Sequence, residues 1–188
     1  MLKPRRIPAF LHDVFGEQQT LLEVLLVLFA GLGVTALLIL GEQEAFSALP
    51  LWRSVLTVLL MVDIVAGCVA NFTRSTSDYY AHRPMHRRIF IAIHVHLPVL
   101  AWLMGTGLLE SVLIWAYTMI AVLFVNALHG HPLQLFTAAC LLVVGISGIL
   151  ILAGLPVPLL VMGVLFLMKV VFSFGVDHYR AAGETAQS

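Results

Sequence analysis

The sequence predicts an all-α integral membrane protein, a bundle of six transmembrane helices with both termini in the cytoplasm. Three observations predict it. Of 188 residues 61% are hydrophobic and only 11% are charged, with a mean hydropathy of +1.01. A soluble domain carries roughly a quarter charged residues, so this chain has too few to cover itself in water. Second, the apolar residues fall into six runs, each near the about 20 residues that cross a hydrocarbon core. Third, most lysines and arginines fall on alternate loops.

The runs are Leu21–Gly41, Leu51–Asn71, Ile89–Leu108, Ser111–Leu128, Pro132–Ala153 and Val157–Val176. Backbone groups in lipid must be satisfied within their own segment, which selects helices. The alternating pattern of an outer-membrane barrel is absent. Residues 1–20 form a cytoplasmic N-terminal segment, residues 21–176 the six-helix domain and residues 177–188 a short cytoplasmic tail. In the N-terminal segment Ile7, Phe10, Leu11, Val14 and Phe15 recur at helical spacing, the pattern of an amphipathic helix lying in the inner interface. It lacks the order of a signal peptide, so the first span is expected to be retained.

With the N-terminus inside, Lys3, Arg5, Arg6, Arg74, Arg83, Arg87, Arg88 and Arg180 are cytoplasmic, Arg53 is outside and Lys169 lies within the last span. Trp52, Trp102 and Trp115 would then stand near the outer interface. A bacterial-type plasma membrane, the inner one, is the location this pattern suits. The partners expected are membrane lipids and either copies of itself or a larger membrane complex, with no nucleic acid. Cys68 and Cys140 lie inside spans and read as apolar filler.

The same threading brings all eight histidines to or near the cytoplasmic side: His12, His82, His86, His94, His96, His129, His131 and His178. Asp63 is the costliest residue, because an acid at a span centre is disfavoured by about 2.5–3.5 kcal/mol. It is expected to face the bundle, on a face with Ala66, Gly67, Ala70 and Asn71. His94 and His96 are two residues apart, about 200° of helical rotation, and so should not share a face; Pro98 removes a backbone donor and is expected to kink the span just above this pair. Asn126 and His129 do share one, as do Lys169, Ser173 and Asp177.

The stretch 71–88 is a polar loop, dense in hydroxyls and then in cations. Hydroxyls and arginine forks of this kind bind anionic head groups, and a solvated positive-inside loop has the same composition. Imidazoles and carboxylates are ordinary ligands of zinc and iron, so a divalent metal is the cofactor they could hold. No HExxH or paired CxxC spacing supports it. The last span has no HxxxH pair, which argues against a seven-span His/Asp zinc hydrolase. Haem between His94 and His129 and a metal-free proton relay are the other chemical readings, and Asp63 paired with Lys169 is the structural one.

The function expected is a membrane-embedded enzyme, metal-dependent or acid–base, acting on a lipid-like anionic substrate. Asp63, His94, His129 and Asp177 would be catalytic. Asn71, Arg74, Arg83, Arg87 and Arg88 would bind substrate. His94, His129, His131 and His178 would hold a metal. The alternative is a small transporter or an accessory subunit. The outer halves carry few polar residues, which disfavours a path for a polar solute.

Overall fold

A computed structural model describes residues 3–151 and 154–179. It is an all-α bundle in which six helices are long and apolar enough to cross a membrane. The chain opens with a strap. Strand β1 (Arg5–Arg6) pairs antiparallel with β2 (Gln18–Gln19), and between them a 3-10 turn (Ala9–Leu11) runs into helix α1 (His12–Phe15). The first long helix, α2 (Leu21–Gly41), starts at a capping box in which Thr20 and Glu23 satisfy each other's backbone N–H groups. A short α3 (Gln43–Ser47) leads to the second, α4 (Leu51–Ala70).

Next come α5 (Arg74–Ala81), α6 (Pro84–Ile93) and α7 (His96–Met104), then α8 (Leu108–Ala127) and α9 (Gln134–Ile151). The last long helix begins as α10 (Val157–Leu167) and continues as a π-helix over Met168–Phe174. It runs through the middle, packed against α4, α7, α8 and α9, while α2 sits outside on α4.

Four differences from the sequence reading matter for the site. The hydroxyl-rich stretch is not a loop. Thr73 caps α5 by accepting from the Thr76 N–H, and Pro84, whose missing N–H costs nothing in a first turn, starts the third long helix five residues before Ile89. The N-terminal segment is helical only over residues 9–15, and its strand pairing closes it into a strap that lies on α5.

The third long helix breaks at His94 and Val95. Pro98 would have to donate to the His94 carbonyl to continue the helix, and it has no N–H. That carbonyl instead accepts the Trp115 indole N–H at 2.8 Å. One turn earlier the His94 N–H bonds Ile91 O, and the Phe90 carbonyl takes the His94 imidazole Nδ1–H. The break voids the 200° argument, and the His94 and His96 rings stand edge to face, centroids 4.9 Å apart. Trp115 is therefore turned inward to His94, while Trp52 and Trp102 pair near the other end, Arg53 lying over both rings.

Candidate functional site

A cavity of about 350 Å³ opens between α4 and the broken third helix. Its floor is Asp63, Gly67 and Asn71 of α4 with Lys169 of the π-helix, and its far wall is His86, Ile89, Phe90, Ile93, His94 and His96. Asp13 and Val14 of the strap and Tyr80 of α5 complete it.

Two charges meet there. Lys169, 3% exposed, donates from Nζ to Asp63 Oδ2 at 2.8 Å and to the Asp63 carbonyl at 3.2 Å. It reaches that carboxylate past Gly67, where a Cβ would stand 2.5 Å from Lys169 Cε, so a side chain there would occupy the path of the lysine. The π-helix widens the turn that bears Lys169 and Ser173, and both face α4, Ser173 Oγ donating to the Cys68 carbonyl at 2.7 Å. Asp177, expected on that face, instead takes its place beside α9, its N–H on Gln134 Oε1.

The Asp63 side chain is 46% exposed, in contrast to Lys169. The expectation that it faces only the bundle is thus half met: one oxygen turns to the lysine and the carboxylate also opens on the cavity. His96 Nε2 lies 3.8 Å from the same Oδ2. His94 is buried, its ring stacked on Phe90, which in turn stacks on Phe174. Because Nδ1–H is given to Phe90 O, the neutral ring keeps its lone pair on Nε2, and that buried nitrogen has no partner. His96 Nδ1 and Asn71 Nδ2 are likewise buried and unpartnered. Buried polar atoms are normally satisfied, and these three, themselves closed to solvent, belong to residues that line one cavity.

At the mouth, the Tyr80 hydroxyl donates to the Asp13 carbonyl at 2.8 Å, and burial holds its ionisation well above the ordinary tyrosine range. His86 Nδ1 lies 3.5 Å from Asp13 Oδ1.

The other residues singled out in the sequence fall elsewhere. Three hydroxyls at the start of α5 are spent on the strap: Thr76 Oγ1 donates to Val14 O, Ser75 Oγ accepts from the Gln18 N–H, and Gln19 Nε2 donates to Thr73 Oγ1, while Ser77 Oγ is buried without a partner. Gly16, at φ 67°, has no room for a Cβ against the Ser75 backbone, so the strap lies flush on α5. Arg74 and Arg83 border a separate surface groove, ion-paired with Asp78 and Glu17 respectively.

Arg87, 4% exposed, is not available on the surface. Its Nε donates to Asn126 Oδ1 at 2.7 Å and its Nη2 to Gly175 O, so it clamps α6 to α8 and to the end of the last helix. Gln134 Nε2 joins it on the same carbonyl. Arg88 is exposed, and Arg180 lies outside the described residues.

The four histidines named as metal ligands are not gathered: among the described residues no three of His, Cys, Asp and Glu are grouped to hold an ion. His129 and His131 stand exposed at the turn after α8, the His131 ring accepting from the Leu133 N–H. His178 packs between Phe72 and Phe172 and donates from Nε2 to Phe172 O; burial pulls its basicity below the usual imidazole range. Of the expected catalytic set the cavity unites Asp63 with His94, and of the expected substrate ligands it takes Asn71 alone.

His96, Lys169, Asp13 and His86 are the additions. Lys169 was legible as the partner of Asp63, and Pro98 was the signal that could have brought His96 in. No protein-family model matches this chain, and comparison with curated proteins and with solved structures finds no significant match.

Proposed function

We propose that this is a multi-pass membrane enzyme whose acid–base centre is the Asp63–His96 pair with His94 and Lys169. It acts on the polar head of an amphipathic molecule that enters sideways between the second and third spans. The positive-inside pattern puts the strap and α5 on the cytoplasmic side of a plasma membrane, so the substrate enters from the inner leaflet.

One observation carries the reading. An acid introduced only to neutralise Lys169 would be buried with it; here the lysine is sealed at 3% exposure while the Asp63 side chain is 46% exposed and lines a cavity. Ionisable groups inside a membrane are costly and mark functional sites by default. Lys169 holds the carboxylate in place, His96 stands ready to exchange a proton with it, and the fixed tautomer of His94 offers a second base on Nε2. The anionic head group expected from the arginines finds no support in this cavity, because Arg74, Arg83, Arg87 and Arg88 do not line it. Because the described residues gather no three ligands, we take the centre as metal-free.

The test is reconstitution of the wild-type chain and of Asp63→Asn and His96→Gln into vesicles of extracted bacterial membrane lipid, followed by untargeted lipid mass spectrometry. The expected result is one lipid class consumed and one formed by the wild type and by neither variant. An unchanged lipid profile with folded wild-type protein overturns the enzyme reading.

A further inference from the structure

The cavity discriminates by charge, and this inference deepens the reading just given by naming the class of molecule that enters. Its lining carries two carboxylates, Asp13 and Asp63, against one ammonium, Lys169. A phosphate entering here would find Lys169, the one ammonium among the described lining residues, already bonded to Asp63 at 2.8 Å. An anionic head that finds no free cation to replace its hydration is disfavoured in such a site.

What the walls lack is neutral hydrogen bonding. His94 leaves an acceptor, Nε2, and Asn71 leaves a donor, Nδ2, each buried and without a partner. A hydroxyl has the chemistry to answer either, donating its O–H to the imidazole or accepting from the amide. Val14, Ile89 and Ile93 supply apolar lining beside those groups, and Ile89 and Ile93 are themselves more than half exposed, so the apolar side of the cavity borders the surface of the bundle.

We infer that the cavity binds the hydroxyl-bearing head of an uncharged membrane lipid, a lipid alcohol of the diacylglycerol kind. Its hydroxyl lies against His94 and Asn71, and its chains leave past Ile89 and Ile93 into the bilayer. A long-chain amine is the competing guest, since Asp63 could pair with it; but Asp63 is already answered by Lys169, whereas the two orphan atoms are neutral.

The experiment is photolabelling of the full chain in phosphatidylcholine nanodiscs. Three probes carry the same diazirine in the acyl chain: diacylglycerol, phosphatidic acid and a sphingosine-type amine. The expected result is saturable labelling by diacylglycerol at the peptide containing Ile89 and Ile93, competed by unlabelled diacylglycerol. Labelling by phosphatidic acid should be weaker by about tenfold or more, the cost of leaving buried polar groups unpaired or opposed. Ile93→Trp, which fills the apolar side and touches neither polar group, should abolish the saturable part.

Equal or stronger labelling by phosphatidic acid or the amine overturns the inference, as does labelling that never saturates. Because this reads binding alone, diacylglycerol labelling with no lipid turnover would refute the enzyme reading and leave this one standing. Turnover of another lipid class with no diacylglycerol labelling would do the reverse.

Discussion

The Asp63–Lys169 pair should be strongly asymmetric in energy. Removing the charge of Asp63 by Asp63→Asn leaves Lys169 ionised at 3% exposure with only an amide and a carbonyl to face. Breaking a buried pair from one side costs about 3–5 kcal/mol, and the retained amide oxygen puts this case at the lower end, about 3 kcal/mol. Removing the lysine by Lys169→Met leaves the opposite situation. Asp63 is 46% exposed and keeps His96 at 3.8 Å, so its charge is not sealed in as that of Lys169 is, and the loss should be the smaller one, about 1 kcal/mol or less.

The double variant removes the stranded charge altogether. It should therefore be less damaged than Asp63→Asn alone, with a coupling energy of about 2–3 kcal/mol. Reversible unfolding in mixed micelles with increasing dodecyl sulfate, followed by far-ultraviolet circular dichroism, measures all four proteins. Equal costs for the two single variants, or a double variant as unstable as the sum of both, would refute the reasoning that exposure decides which partner depends on the other.

Three more outcomes are expected. Gly67→Ala places a Cβ 2.5 Å from Lys169 Cε and should cost about 1–3 kcal/mol by the same unfolding assay; in a Lys169→Ala background that cost should vanish, and persistence there would place the clash elsewhere. Trp115→Phe strands the buried carbonyl of His94 and should cost about 1–3 kcal/mol; Trp102→Phe, whose ring lies by Trp52 and Arg53, should cost less, and the reverse order would contradict the account of the helix break.

His178, held in its neutral form by burial, should titrate below the usual value of about 6.5 in a proton–nitrogen NMR experiment. A depressed folded-state value means the unfolded chain binds the extra proton first. The stabilisation is therefore whole above about pH 6.5 and is lost as pH falls toward the folded value; a titration at or above 6.5 would disprove it.

The long helices were readable because crossing apolar distance demands unbroken apolar runs; the run Leu21–Gly41 is the helix α2 residue for residue. The pairing of Asp63 with Lys169 was readable for a related reason, since two such costly charges need each other. What escaped depends on contacts between distant residues. The hydroxyls of 73–76 were open to two readings, head-group ligands or a solvated loop, because nothing local says that Gln18, Gln19 and Val14 lie across them.

Arg87 looked like one more surface cation of an inside loop, yet its partners, Asn126 and Gly175, sit 39 and 88 residues away. The joint at His94 was half visible: Pro98 announced a lost hydrogen bond, but only the indole of Trp115, on another helix, explains why the chain opens there. Convergence of Asp63 with His94 was expected from depth alone, whereas the same reasoning wrongly drew in His129 and His131, which face outward at a turn.

The bond from Trp115 to His94 O gives the cavity a built-in optical probe. Trp52 and Trp102 lie together beside Arg53 and take no part in that bond, and their replacement by phenylalanine would leave a single emitter. Its indole proton is attached to the very residue whose imidazole borders the cavity, so a guest arriving at His94 changes the surroundings of a fluorophore without any label being added. Occupancy could then be followed as a shift in emission, in real time and before any product is known.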